Sequence, residues 1–289
     1  MPIEHLLPAR AKDLGGGFTV RRLLPAFPRQ GVGSFVFFDH FGPVITRPED
    51  HHDVRPHPHI GLATVTYLFE GAMLHRDSLG CVQRIEPGAI NWMTAGRGIV
   101  HSERRPPDLA ATTYTAHGLQ LWAALPAAFE EAAPTFAHTP AEVIPAWSQD
   151  GVDVRLLIGD AFGRRSPVAT FAPTLYLDVA ARPEGALDLP AFDAAFERAV
   201  YGVDEPLTID GAELPPHTMA VLAPGTPAAI FAPRGGRYVV IGGAPLDGPR
   251  FIWWNFVSSR RERIERAKAD WTRQRMGAIP GESDWIPLP

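Results

Sequence analysis

The sequence predicts an all-β chain built as a pair of β-barrels, and three features carry that prediction. Thirty prolines and 27 glycines cut the 289 residues into short segments, a pattern of many short strands joined by turns. Segments rich in β-branched and aromatic residues recur at 33–40, 62–70, 82–93 and 118–125. After a proline-rich stretch around 126–145 the rhythm resumes at 152–158, 174–180, 197–201, 206–210, 218–222, 228–232 and 237–242. The two halves also share a local pattern, since Glu86-Pro87-Gly88-Ala89-Ile90-Asn91-Trp92-Met93 parallels Leu214-Pro215-Pro216-His217-Thr218-Met219-Ala220-Val221. Each is a turn leading into a strand, and the parallel suggests a duplicated β-barrel.

Glu70-Gly71 and Glu86-Pro87-Gly88 supply turns in the first half. One helix is expected near the C-terminus. Ser259-Arg260-Arg261-Glu262 has the form of a capping box, Ile264, Ala267 and Trp271 follow at helical spacing, and Gly277 and Pro280 mark the end. The preceding Phe251-Ile252-Trp253-Trp254-Asn255-Phe256-Val257 is too aromatic to face water and is expected to form a strand or arm packed on the body.

Composition narrows the function classes. Hydrophobic residues at 45% and charged residues at 20% describe a globular chain with ample core material. A net charge of −5, with Lys12 and Lys268 the only lysines, argues against direct nucleic-acid binding through a basic surface. Cys81 is the sole cysteine, so no intramolecular disulfide forms, as suits a reducing compartment. Residues Met1 to Gly17 lack the pattern of a secretory signal, and no apolar run reaches membrane-spanning length. The expectation is a cytoplasmic protein with no membrane partner.

Eight of the eleven histidines lie between His40 and His117, which places any histidine-based metal site in the first half. His57-Pro58-His59 sets two imidazoles two residues apart, on one face of a strand. Pro58 cannot donate to a ladder, so the strand belongs at an edge or bulge. By itself the pair also fits two surface histidines in a turn. His101-Ser102-Glu103 repeats the spacing after the turn Gly96-Arg97-Gly98, and alone fits a surface histidine and an exposed carboxylate. The strand and turn lengths between the pairs allow them to lie side by side, and together they aim three imidazoles and one carboxylate at one point. His75-Arg76-Asp77 has the same form and reads first as turn chemistry with Ser78, or as support behind the ligands. His51-His52-Asp53 reads as a solvated loop, Cys81 as a small buried hydrophobe, and Arg260, Arg261, Arg263 and Arg266 as a solvated helix face.

These residues resemble the signature of the pirin family. The resemblance lies in Pro56-His57-Pro58-His59 with Gly61, in Thr64-Val65-Thr66-Tyr67, and in His75-x-Asp77-Ser78-x-Gly80. It continues through Trp92-Met93-Thr94-Ala95-Gly96-Arg97-Gly98-Ile99, His101-Ser102-Glu103, Gly118-Leu119-Gln120-Leu121-Trp122 and Ser166-Pro167-Val168. Trp253-Trp254-Asn255-Phe256 and the closing helix resemble those of bacterial members. The resemblance implies a bicupin of two antiparallel, jelly-roll-type barrels. It also implies an N-terminal metal-binding cupin domain over 1–135, a metal-free cupin domain over 136–250, and an arm with a short helix over 251–289.

The ligands it implies are His57, His59, His101 and Glu103, and the metal it implies is Fe(II). Nickel, copper, cobalt, manganese or zinc could occupy such a site in purified protein, since imidazole affinity rises from iron toward copper. No carboxylate follows the His-x-His pair at the ordinary cupin positions, which hold Ala63 and Thr64. Three neutral imidazoles and one carboxylate would leave Fe(II) with a net charge of about +1 and two open octahedral positions. The implied activity is quercetin (flavonol) 2,3-dioxygenase, with Glu103 as both ligand and general base. The alternative is an iron-dependent redox-sensing regulator that binds a protein partner without turnover. Val36, Phe38 and Tyr67 are candidate pocket walls for a flavonol-like substrate, with Phe35 and Phe37 in the opposite strand phase. A monomer is expected.

Overall fold

Residues two apart on a strand share a face, and that alternation fills one barrel with apolar side chains. Val152, Val154 and Leu156 on strand Val152–Ile158 lie in register beside Val179 and Leu177 on Thr174–Ala181. They join Leu175, Leu187, Leu189, Val200, Leu207, Ile209, Ile230, Tyr238 and Val240 in one buried cluster. Each such burial contributes about 1.5–3 kcal/mol.

The computed structural model describes residues 3–15 and 18–289. The fold is all-β, with Arg261–Thr272 the one α-helix among the described residues. Among the described residues no helix is long and apolar enough to cross a membrane. The chain divides into two compact units, each discontinuous in sequence. The first combines the N-terminal residues up to Ala11 with Arg21–Phe38 and Glu142–Pro245, and the second combines Lys12–Val20, Asp39–Ala141 and Leu246–Pro289.

In the first unit, strand Ile3–Pro8 pairs antiparallel with Thr218–Leu222 at the edge of a seven-stranded sheet. A four-stranded sheet in the order Gly185–Leu189, Ala228–Ala232, Leu207–Ile209, Ala212–Leu214 completes that core.

The second unit carries nine of the eleven histidines, all but His5 and His217. Its four-stranded sheet runs Val54–His59, Ile99–Arg104, Met73–Asp77, Val82–Ile85. A second sheet of this unit includes Thr135–Thr139, Ile90–Thr94, Leu62–Glu70 and Tyr114–Ala124 in that order. The segment expected as one strand at 82–93 is two, split at the Glu86-Pro87-Gly88 turn where Gly88 has φ +80°. Proline and a left-handed glycine end a strand there regardless of the apolar pattern on either side.

The aromatic segment at 251–257 is a hairpin, Phe251–Trp253 against Phe256–Ser258, turning through Trp254 at φ +51°. Phe256 bridges Ile60, and the two share a cluster with Val100, Ile264, Ala267, Trp271 and Ile279. Gly61 has φ +68°, and a Cβ there would collide with the Val257 carbonyl oxygen, so only glycine admits this approach. Buried Arg250 and Glu130 pair at 2.9 Å, and the same carboxylate accepts bonds from Ser258 Oγ at 2.9 Å and Ser259 N at 2.7 Å. Ser259 is thereby drawn to Glu130, so no side chain caps the helix and the capping box does not form. The helix stops at Thr272, before Gly277. Gln274 takes the left-handed position (φ +51°), and Arg275 N donates to Asp270 O at 2.8 Å in a Schellman-type closure. Arg263 differs from the expected solvated face. It is largely buried, paired with Glu131 at 2.7 Å and donating to the Arg97 carbonyl.

Candidate metal centre

The His57 strand, Val54–His59, is the edge of its sheet, where Pro56 and Pro58 remove no ladder bond on the open side. Its partner, Ile99–Arg104, faces it antiparallel with His101 opposite His57 and Ile99 opposite His59. His57, His59 and His101 are all buried, and their ring nitrogens lie within 4.8 Å of one another, forming the one such group among the described residues. His59 Nε2 and His101 Nε2 are 3.1 Å apart.

Backbone carbonyls turn two of these rings. His57 Nδ1–H donates to the Arg55 carbonyl at 2.9 Å and His59 Nδ1–H to the Asn255 carbonyl at 3.1 Å. Each bond leaves an Nε2 lone pair facing the centre, the tautomer a metal ligand needs. His101 Nδ1 is buried with no hydrogen-bond partner among the described residues. Burial, reinforced by the neighbouring imidazoles, pushes the histidine pKa values down: His57 to about 4, His59 and His101 well below the usual range. The rings are therefore neutral at pH 7, as ligation requires.

Glu103 stands on the same face, two residues beyond His101, but lies outside the three-histidine group. Its backbone pairs with His75 on one side and with Val54 on the other. Desolvation alone pushes its pKa up to about 7, and no cation offsets that loss of water. Asp77 is the buried carboxylate nearby that has hydrogen-bond donors. It is fully buried yet satisfied by Leu79 N at 2.9 Å, Cys81 N at 3.0 Å and His75 Nε2 at 3.0 Å. The donor set fits a divalent metal. Three neutral nitrogens converge, and the carboxyl beside them lacks the positive charge that would restore its ordinary ionisation.

His75 takes part in the turn chemistry expected of its motif, and its ring also lies beside the histidine cluster. Asp77 holds the Leu79–Cys81 turn and fixes the His75 ring, which lies 5.3 Å from His101, centroid to centroid, and stacks on Phe136 at 4.1 Å. His51, His52 and Asp53 lie apart from the cluster, Asp53 accepting a bond from Arg105 N at 2.8 Å. Cys81 is half-buried rather than buried.

The wall opposite the histidines follows from register. Trp122, Thr64, Met93 and Phe136 stand in one cross-strand row, and its ends touch the site, Trp122 edge-on to His59 at 5.2 Å and Phe136 against His75. The next row on that face is polar, with Thr66 Oγ donating to Gln120 at 2.9 Å and Asn91 bonded to His138 at 2.7 Å. Tyr67 falls on the opposite face of its strand and packs on Phe69, and Phe38 packs on Tyr201, so neither is a wall of this site. Trp122 lies within the motif Gly118–Trp122, but its contact with His59 depends on cross-strand register. Phe136 and Asn255 carry no local signal, because long-range pairing brings them to the site.

Comparison with known proteins agrees with this geometry. The Pirin family profile matches residues 17–123, and that of the Pirin C-terminal cupin domain matches residues 176–277. A pirin-like protein of Caulobacter vibrioides is 45% identical over 99% of both chains. Human pirin is 34% identical over 93% of this chain and 91% of its own. The crystal structure of a quercetin 2,3-dioxygenase from Acinetobacter baumannii superposes with a TM-score of 0.91 at 35% identity, covering 99% of this chain and 94% of that one. With both cupin domains matched and the histidine cluster in the N-terminal one, the chain belongs to the pirin family.

Proposed function

We propose that this chain is a metal-dependent dioxygenase with quercetin 2,3-dioxygenase activity, in which His57, His59, His101 and Glu103 hold one Fe(II) ion. The observation that carries this reading is the convergence of three buried imidazoles, His57, His59 and His101, with the Glu103 carboxyl two residues beyond His101 on the same strand face. The likeness to the Acinetobacter enzyme supports the substrate class.

When bound, the metal would supply a Lewis acid for the flavonol oxygens and a one-electron centre for dioxygen. The protein's own groups do the rest. Arg55 and Asn255 carbonyls fix the His57 and His59 rings. Glu103, placed beside the three imidazoles, accepts the proton of the flavonol 3-hydroxyl. Trp122 and Phe136 offer flat apolar surfaces, and burial keeps water from the reacting oxygens. Oxygen adds across the ring, two C–C bonds break, and carbon monoxide leaves.

Protein purified without oxygen and loaded with Fe(II) should consume one O₂ and release one CO per quercetin. Tight flavonol binding with neither event would overturn the enzymatic reading in favour of an iron-dependent regulator.

A further inference from the structure

The backbone ladder beside the centre breaks where Glu103 has to be aimed. His101 lies opposite His57, but Glu103 lies opposite Val54, so the His57 strand carries an extra residue between them. A bulge of this kind interrupts ladder bonds and loosens control of the local twist. On the outer face, restraint comes from the end of the chain. Ser102 and Arg104 flank Glu103 and point away from the histidines, by strand alternation.

Glu282, almost fully buried, accepts Ser102 Oγ–H at 2.7 Å on one carboxylate oxygen and Arg104 Nε–H at 3.0 Å on the other, with Arg104 Nη2 as a further donor. Asp284 takes a second bond from Arg104 at 2.8 Å. The same tail is tied to the other strand. Ile286 N donates to the Pro56 carbonyl and Trp271 Nε1 to the Ile286 carbonyl, both at 2.9 Å.

We propose that Glu282 is a positioning residue for Glu103, holding Ser102 and Arg104 so that the carboxylate between them is aimed at the metal. This rests on the reading of Glu103 as a ligand. A charge-assisted, two-oxygen clamp spanning residues i and i+2 fixes the backbone between them more firmly than a single bond.

The test measures Co(II) affinity by chelator competition on the full-length chain, in wild type, Glu282→Gln, Glu103→Gln and the double variant. Gln at 282 keeps the shape and one acceptor oxygen but loses the charge that pairs with Arg104 and one of the two oxygens that Ser102 and Arg104 share between them. Loss of a partner behind a ligand costs about 10–100-fold in metal affinity. Glu282→Gln should show that loss with a changed Co(II) absorption spectrum. Glu103→Gln should also bind more weakly, and the double variant no more weakly than Glu103→Gln. Unchanged affinity in Glu282→Gln, or losses that multiply in the double variant, would overturn the positioning role. Wild-type affinity in Glu103→Gln would instead show that the ligand reading itself is wrong, and the positioning role would fall with it. If Glu282→Gln does not fold, Ser102→Ala removes one tie, leaves Arg104 bound, and enters the same cycle.

Discussion

His59 Nδ1 meets the backbone carbonyl of Asn255 at 3.1 Å across 196 residues of chain. A side chain from the first half of the sequence is therefore aimed by a turn near its end. That turn is itself held by the Glu130–Arg250 pair and by Phe256 against Ile60. Metal affinity and docking of the C-terminal arm should then rise and fall together.

Replacing a ligand should cost more than replacing its support. His57→Ala and His101→Ala are each expected to lose the metal after dialysis. His75→Ala should retain it with affinity reduced by no more than about 10–100-fold. Elemental analysis should give one metal per wild-type chain, since the other barrel is filled by apolar side chains. Full wild-type metal binding in His57→Ala, or a second ion held by residues beyond 145, would contradict the assignment.

Acid should destabilise the metal-free protein. The lowered histidine pKa values favour the neutral rings in the fold, so their contribution is complete above pH 6.5 and is lost as pH falls. For His57, with a folded pKa of about 4, that amounts to roughly 3 kcal/mol. Glu103 acts in the opposite sense, its contribution complete below its ordinary 4.5 and lost as pH rises through about 7. Three rings outweigh one carboxyl, so the thermal midpoint should drop between pH 7 and pH 5. A midpoint that rises on acidification would contradict this balance.

Metal binding should carry its own proton. Below pH 7 Glu103 is mostly protonated in the free protein, and binding has to displace that proton. Affinity should fall about tenfold per pH unit below 7, and Glu103→Gln should flatten that slope. Calorimetry in buffers of different ionisation enthalpy counts the proton directly. No proton released at pH 6 would remove Glu103 from the coordination sphere.

Turnover should depend on Glu103 more than metal content does. Glu103→Gln still offers a carbonyl oxygen but accepts no proton at neutral pH. Oxygen uptake per bound iron should fall by about 10²–10⁴. Equal rates per iron would show that another group takes the proton.

Glu130→Ala removes one of the two carboxylates paired with the buried Arg250 guanidinium and leaves Asp247 as the other, so the cost should fall below the about 3–5 kcal/mol of a fully unpaired buried charge. Residues 251–289 should exchange amide hydrogens faster, and Asn255 should release His59, weakening metal binding. Unchanged protection of the arm would assign its docking to the Phe256 and Trp271 cluster alone.

What could be read from the sequence was local. Proline and glycine punctuation marks Val152–Ile158, Thr218–Leu222 and Ala228–Ala232, and the spacing of His57, His59 and His101 marks the cluster. Interactions between distant segments left no such trace. Strand Ile3–Pro8 is defined by its pairing with Thr218–Leu222, which no local pattern records. Ser259 has the form of a helix cap, but a buried Glu130 more than a hundred residues earlier takes its hydroxyl. Glu282 looks like any surface carboxylate until Ser102 and Arg104 are placed beside it. Strand phase was ambiguous for the same reason, and cross-strand register is what puts Trp122 and Phe136, rather than Tyr67, opposite the histidines.

The place of Asn255 in the chain also sets a schedule. At about 5–20 residues per second the ribosome delivers His101 on the order of 10–30 s before Asn255. An ion captured by the nascent chain therefore meets three imidazoles with one ring unsteered, and the final coordination geometry waits for the last segment to be made. Ribosome-arrested chains ending before Asn255 should exchange their metal freely with the medium, whereas released chains should hold it. Firm retention of an ion should therefore begin only once the closing arm has been made and docked.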